Sequence, residues 1–169
     1  MTAVPEFEAF YRVEHPRVLG TLCALAGDRD TAVDATDEAF VRAYERWERV
    51  RHMDAPAAWT YTVALNALKR TKRRRALEAT LLRRRRDVDV VPTHDPELWD
   101  AVRALPARQR EAVVLRYVAD LPEAQIAEVM RIARGTVAST LSDARRALAT
   151  LLTDETTDVS DARLPEVTR

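Results

Sequence analysis

Between Leu121 and Leu151 the chain carries a pattern that few folds can accommodate. The run Leu121-Pro-Glu-Ala-Gln-Ile-Ala-Glu-Val-Met130 is followed by Arg131-Ile-Ala-Arg134 and then by a longer stretch from Gly135. In that stretch Val137, Leu141, Ala144, Leu148 and Leu151 recur at i, i+4, i+7 spacing, which buries one face of a helix. Ile126, Ala127 and Met130 of the short preceding helix can pack on Val137 and Leu141, and small Ala127 lets the two helices cross closely. These are the proportions of a helix-turn-helix, whose second helix enters the major groove by its start. The opposite face presents Thr136, Ser139, Thr140, Asp143 and Arg146, with Arg134 at its beginning. Short polar groups and arginines suit base edges and phosphates. The alternative is a three-helix bundle that touches no DNA, and Ala138, Ser142 and Asp143 leave this face poor in positive charge.

The remaining chain is helical as well. Glu6 to Ala26 has Phe7, Phe10, Tyr11, Val18, Leu22 and Leu25 near helical spacing, with Pro16 expected to divide it. Gly27-Asp-Arg-Asp30 is a turn, and Asp30 or Thr31 can cap a second helix that reaches about Trp47 with Val33, Phe40, Val41 and Tyr44 as its apolar residues. Asp54-Ala-Pro56 opens a third, proline being well placed in a first turn. That helix carries Trp59, Val63, Leu65 and Leu68 into a basic block. Asp87 to Pro96 has linker composition. Further helices run from Pro106 to Tyr117, from Asp120 to Met130 and from Gly135 to Leu152. The fold class is therefore all-α: two small helical domains joined by a flexible linker, the second a helix-turn-helix. The expected boundaries are 1–86, a linker at 87–96, 97–153, and a disordered tail at 154–169.

Charge separates the two halves by role. Lys plus Arg and Asp plus Glu each number 27, for zero formal net charge. Yet from Lys69 to Arg86 ten bases, Lys69, Arg70, Lys72, Arg73, Arg74, Arg75 and Arg83 to Arg86, stand against Glu78 alone. Local field decides whether a polyanion binds. Such a run repels itself unless a polyanion neutralises it, which points to phosphate contact. The acids between Asp28 and Glu48 point to a second partner that is not DNA. Trp59 and Tyr61 precede the basic block; one belongs to the core and the other can stack on exposed bases, and sequence does not say which.

Several function classes are set aside. Cys23, the only cysteine, lies in an apolar helical run and reads as a core residue; a disulfide within the chain is impossible, which fits the cytosol. The start lacks the pattern of a signal peptide, and nowhere is there an apolar run long enough to span a bilayer, so a cytoplasmic location is expected. His15, His52 and His94 have no metal-ligand spacing and no glycine loop cradles phosphate. Neither an enzyme, a cofactor nor a metal is expected.

Three segments together resemble the extracytoplasmic-function sigma factors of bacterial RNA polymerase. Ala104-Leu-Pro-Ala-Arg-Gln-Arg-Glu-Ala-Val-Val-Leu-Arg-Tyr through Met130, with Gly135-Thr-Val and Ala144-Arg-Arg-Ala-Leu148, is similar to the family's C-terminal domain, which binds the promoter -35 element. Asp34-Ala-Thr-Asp-Glu-Ala-Phe40 and Ala58-Trp-Thr-Tyr-Thr-Val-Ala-Leu-Asn66 resemble the two hallmark helices of its N-terminal domain. The resemblance implies that Asp34, Asp37, Glu38 and Phe40 dock on core RNA polymerase. It implies that Trp59, Tyr61, Asn66, Lys69, Arg70 and Arg73 read and help open the -10 element. Arg134, Thr136, Ser139, Thr140, Asp143 and Arg146 would read the -35 element, and an anti-sigma protein is a common partner of such factors.

The elements lie about 17 base pairs apart, roughly 58 Å at about 3.4 Å per pair. About 20 residues from Ala76 to Asp95 span at most roughly 66–72 Å, a margin that any helix there would narrow. The chain departs from the family at Val33 and Asp37, where Glu and Gln are usual, and at Ala138, Thr140, Ser142 and Asp143, where bases are usual. Asp143 can instead accept from a cytosine amino group. Two rival functions are a stand-alone DNA-binding regulator and a sigma-like protein-binding module that reads no promoter.

Overall fold

The computed structural model describes residues 3–82 and 95–161, with side chains described over 4–78 and 95–153. Among the described residues every regular element is an α-helix: α1 (Ala3–Ala26), α2 (Arg29–Glu45), α3 (Trp47–Val50), α4 (Pro56–Leu82), α5 (Pro96–Ala104), α6 (Ala107–Tyr117), α7 (Glu123–Met130) and α8 (Arg134–Asp161). None is long and apolar enough to cross a membrane.

Helices α1, α2 and α4 form the first unit. The buried face of α2 is Ala32, Ala35, Thr36, Ala39, Phe40 and Ala43, at spacings of three and four. Alanines on that face let α1 and α4 approach closely. Val18 and Leu22 from α1 and Ala58, Tyr61, Ala64, Leu65 and Leu68 from α4 complete the core. The buried threonines are satisfied locally: Thr21 donates to the Arg17 carbonyl at 2.8 Å, Thr36 to Ala32 at 2.8 Å and Thr60 to Pro56 at 3.0 Å. Asp28 caps α2, accepting from the Thr31 backbone N–H at 2.8 Å. One end is closed by rings. Phe10 meets Trp47 at 5.0 Å and Phe40 at 5.9 Å, and Phe7 meets Trp47 edge-on at 5.3 Å.

Pro16 does not divide α1, contrary to expectation. It is exposed, as is Arg12, so the carbonyl that loses its partner faces water. Packing of Val18, Thr21 and Leu22 beyond it holds the helix in line.

The second unit is α5 to α8. Helix α5 has no counterpart in the sequence expectation, which places the first helix here at Pro106. Asp95 caps it, accepting from the Leu98 N–H at 3.0 Å, and Pro96 fills the first position. The linker expected at Asp87 to Pro96 otherwise lies outside the described residues. The turn between α7 and α8 passes through Arg131 in the left-handed region, φ 55°. Helix α8, expected to end at Leu152, continues to Asp161, into the stretch assigned to a disordered tail.

The two units also dock on each other. Helices α1 and α4 lie against α6 and α7, and the buried core runs through the contact without a break. Because α4 extends to Leu82, the stretch beyond Ala76 rises about 1.5 Å per residue instead of up to 3.6 Å. That lowers the maximum reach to Asp95 by roughly 12 Å, to about the length of the promoter spacer.

Candidate nucleic-acid interface

Asn66, Lys69, Arg70 and Arg73 stand at i, i+3, i+4 and i+7 on α4, and all four are exposed. They form one polar face directed away from the alanine-lined contact with α2. Trp59 is half-buried at the start of the same helix. Tyr61 is 1% exposed and belongs to the core, which removes it from the expected DNA-facing set. Burial raises its phenol pKa; the Thr21 hydroxyl lowers it less, and no partner meets hydrogen-bond geometry. Of the two aromatics, Trp59 alone retains surface to offer a base.

The basic run is not left to repel itself. Acids distant in sequence meet it. Lys69 Nζ donates to Glu111 of α6 at 2.7 Å, Arg70 to Glu38 of α2 at 2.5 Å, and Arg75 to Asp28 at 3.0 Å. Arg74 lies 3.8 Å from Glu78. Arg73 makes no ion pair among the described residues. Polyanion contact is therefore not needed to make the described part of the run tolerable, and a phosphate at Lys69 or Arg70 meets a cation already partly neutralised by a protein carboxylate.

On α2 the expected docking residues separate. Asp34 and Asp37 are exposed, with His15 Nε2 at 3.3 Å from Asp37 Oδ1. Glu38 is half-buried between Arg42, at 2.7 Å, and Arg70. Phe40 is 3% exposed and packs against Phe10, Tyr11 and His15, so it cannot dock on another protein. The apolar groups on the outer face are instead Val41, 57% exposed, and Tyr44, 55% exposed. With Tyr11 they flank a shallow groove beside Asp37. Their register gave the signal: positions 34, 37, 41 and 44 share one stripe, and two of the four are acids.

The helix-turn-helix forms as expected. Ile126, Val137, Leu141 and Ala144 are fully buried between α7 and α8, and Ala127 lies at the crossing. Arg134, Thr136, Ser139, Asp143 and Arg146 are exposed, and Thr140 is half-buried. Ser139 donates to the Thr136 carbonyl at 3.1 Å, leaving its oxygen free to accept. Arg146 is bonded to Asp143 on the same face, and Arg134 stands 4.0 Å from Glu123. Apart from its own turn of helix, nothing among the described residues lies within 4 Å of where a Cβ on Gly135 would stand, so internal packing does not require glycine there.

Residues 10–78 match the family described as Sigma-70 region 2, and residues 96–148 match Sigma-70, region 4. The sequence is similar to RNA polymerase sigma-E factor of Streptomyces antibioticus, 32% identical over 168 residues that cover 96% of this chain and 92% of that one. It is 30% identical to the sigma-E factor of Streptomyces coelicolor over 171 residues, 98% and 95% of the two chains. The fold is similar to that of the sigma factor RpoE from Bartonella quintana, solved in complex with the anti-sigma factor NepR. Their TM-score is 0.78 at 23% identity, covering 89% of this chain and 98% of that one. CnrH, solved with the cytosolic domain of CnrY, gives a TM-score of 0.64 at 19% identity, with 88% of each chain covered.

Proposed function

The chain belongs to the extracytoplasmic-function sigma factors of bacterial RNA polymerase, and from that premise we propose how its surfaces divide the work. It binds core RNA polymerase and directs promoter-specific transcription initiation. Sigma factors are regulatory proteins, and this chain acts through its surfaces and not as an enzyme, in the cytoplasm where polymerase and chromosome meet. Residues 1–86 engage polymerase and the -10 element, and residues 97–153 engage the -35 element, with 87–96 between them.

One observation carries the assignment within the first unit. α2 and α4 bury their facing sides and turn their outer sides to different partners. The outer side of α2 offers Asp34 and Asp37 beside Val41, Tyr44 and Tyr11, an acidic and apolar surface suited to a protein. The outer side of α4 offers Trp59, Asn66, Lys69, Arg70 and Arg73, a basic face with one amide and one aromatic, suited to an opened strand. On α8, Thr136, Ser139 and Thr140 meet base edges and Arg134 and Arg146 meet phosphate, while Asp143 accepts from a cytosine amino group or steers Arg146. Bare Gly135 lets the DNA backbone come close to the start of that helix.

Promoter binding requires the docked units to part because the two elements stand about as far apart as the chain can reach, and parting also frees Lys69 from Glu111. An anti-sigma partner belongs to the same proposal, as a protein that holds the factor in its DNA-free arrangement. The deciding experiment is in vitro transcription with core polymerase and a randomised promoter library. Promoter-specific initiation is expected; a chain that fails to bind core polymerase in a pull-down sinks the proposal.

A further inference from the structure

The C-terminal half of α1, the middle of α4 and the helices α5 and α6 enclose a cleft of about 560 Å³ that none of the surfaces above uses. Its size is that of a small-molecule site. Leu19, Cys23 and Trp99 contribute an apolar wall, Arg29, Lys72 and Arg110 contribute charge, and none of the lining residues is an acid. Burial raises the Cys23 thiol pKa, with Arg29 opposing it weakly, so the thiol stays neutral and the wall apolar.

The cations are crowded and incompletely used. Lys72 Nζ donates to the Leu25 carbonyl at 2.6 Å, and Arg110 donates to the Arg103 carbonyl at 2.6 Å. Neutral carbonyls take hydrogen bonds without cancelling charge. Neither residue, nor Arg29, has an ion-pair partner among the described residues. Burial and then the neighbouring Arg110 hold the Lys72 ammonium below the ordinary lysine range, with Asp28 opposing them. Lys72 and Arg29 are exposed and Arg110 is half-buried, so these like charges beside an apolar wall lack a counter-ion without being deeply buried, and an anion there gains attraction from more than one of them. A multiply charged phosphate would satisfy the cations and leave the wall wet; a neutral hydrocarbon would do the reverse.

We propose that this cleft binds a medium-chain aliphatic carboxylate, with its headgroup between Lys72 and Arg110 and its chain along Leu19, Cys23 and Trp99. Both units supply walls, so the ligand binds the docked arrangement better than the parted one. By linkage it opposes promoter binding. The site itself stands independently of the promoter assignments.

Decanoate is titrated into the full-length chain, followed by tryptophan fluorescence and by calorimetry, with decanol and decyltrimethylammonium as neutral and cationic probes of equal chain length. The expected result is saturable binding of one decanoate per chain and loss of the fluorescence change in Trp99→Phe. Affinity should fall about tenfold for decanol, and about tenfold in Lys72→Gln or Arg110→Gln, the loss of one charge-assisted hydrogen bond. Circular dichroism establishes that each variant is folded; having two keeps the test open if one is not. Absence of saturation, decanol binding as tightly as decanoate, or unchanged binding in the folded variants would overturn the site. Decanoate should also weaken binding of a promoter fragment. If it binds and promoter affinity is unmoved, the coupling is refuted and the site stands.

Discussion

Replacing Glu111 by Gln tests whether the docked arrangement competes with DNA. In the structure Glu111 holds Lys69 at 2.7 Å across the contact between the two units. The glutamate side chain is 12% exposed and the lysine 46%, so the pair lies between a surface and a buried one. A fully exposed pair is worth at most about 1 kcal/mol, and breaking a fully buried one costs about 3–5 kcal/mol. Glutamine keeps an acceptor near Lys69 and removes only the charge. We therefore expect the docked state to lose about 1 kcal/mol, which raises the ratio of parted to docked chains about fivefold.

The apparent affinity of a ligand scales with the fraction of chains able to bind it. Glu111→Gln should then bind a fluorescent single-stranded -10 fragment about fivefold more tightly, read by anisotropy. Removing any acid improves attraction to DNA, so Glu128→Gln, an exposed acid on α7 with no ion pair among the described residues, serves as the control. It should change affinity far less. In a Lys69→Met background the gain from Glu111→Gln should disappear. Unchanged affinity in Glu111→Gln, or an equal gain with Lys69 absent, would refute the idea that this pair restrains the chain.

Val41→Asp should sharply reduce pull-down of core polymerase and leave the thermal midpoint nearly unchanged, whereas Tyr44→Asp should reduce it and also lower the midpoint by losing the edge-on contact with Phe7 at 5.0 Å. Arg131→Gly should stabilise the chain by about 0.5–1 kcal/mol in urea titration, since Arg131 has a left-handed backbone. Asp28→Asn keeps an N-cap acceptor for Thr31 but loses the charge facing Arg75, and should cost about 1 kcal/mol, whereas Asp28→Ala should cost about 2. Asp143→Ala removes the acceptor offered to cytosine and frees Arg146, so discrimination within the -35 element should relax while the salt slope steepens by about one counterion.

Most of the fold was legible because its signals are local. The stripe Val137, Leu141, Ala144 specifies α8, and Asp95-Pro96-Glu97 carried a cap, a first-turn proline and a first-turn acid for α5 that linker composition obscured. Pro16 misled because a proline's effect depends on whether the orphaned carbonyl meets water, which is a tertiary property. The sites divide along the same line. Asn66, Lys69, Arg70 and Arg73 share one helical face by spacing alone. Phe40 and Tyr61 could not be separated from Tyr44 and Trp59 by residue type, since each pair consists of large rings one turn or less apart. Only the packing of α1 decides which ring is covered. The partners of Lys69, Arg70 and Arg75 are 32 to 47 residues away in sequence, beyond any local reading.

Those distant partners place part of the compensating acid directly against the basic run. A protein that presented the described part of its basic run unpaired would bind any polyanion, promoter or not. Here Lys69 and Arg70 are paired with Glu111 and Glu38, so a phosphate at either position is attracted less than it would be by the bare cation. The two carboxylates lie on different elements. Glu38 shares α2 with the acidic and apolar face assigned to polymerase, and Glu111 belongs to the unit assigned to the -35 element. Drawing the second unit away separates Glu111 from Lys69, whereas Glu38 stays with Arg70 because α2 and α4 share one core. On the proposed assignment, engagement of the -35 element by the second unit would therefore favour binding of the -10 strand through the Lys69–Glu111 pair.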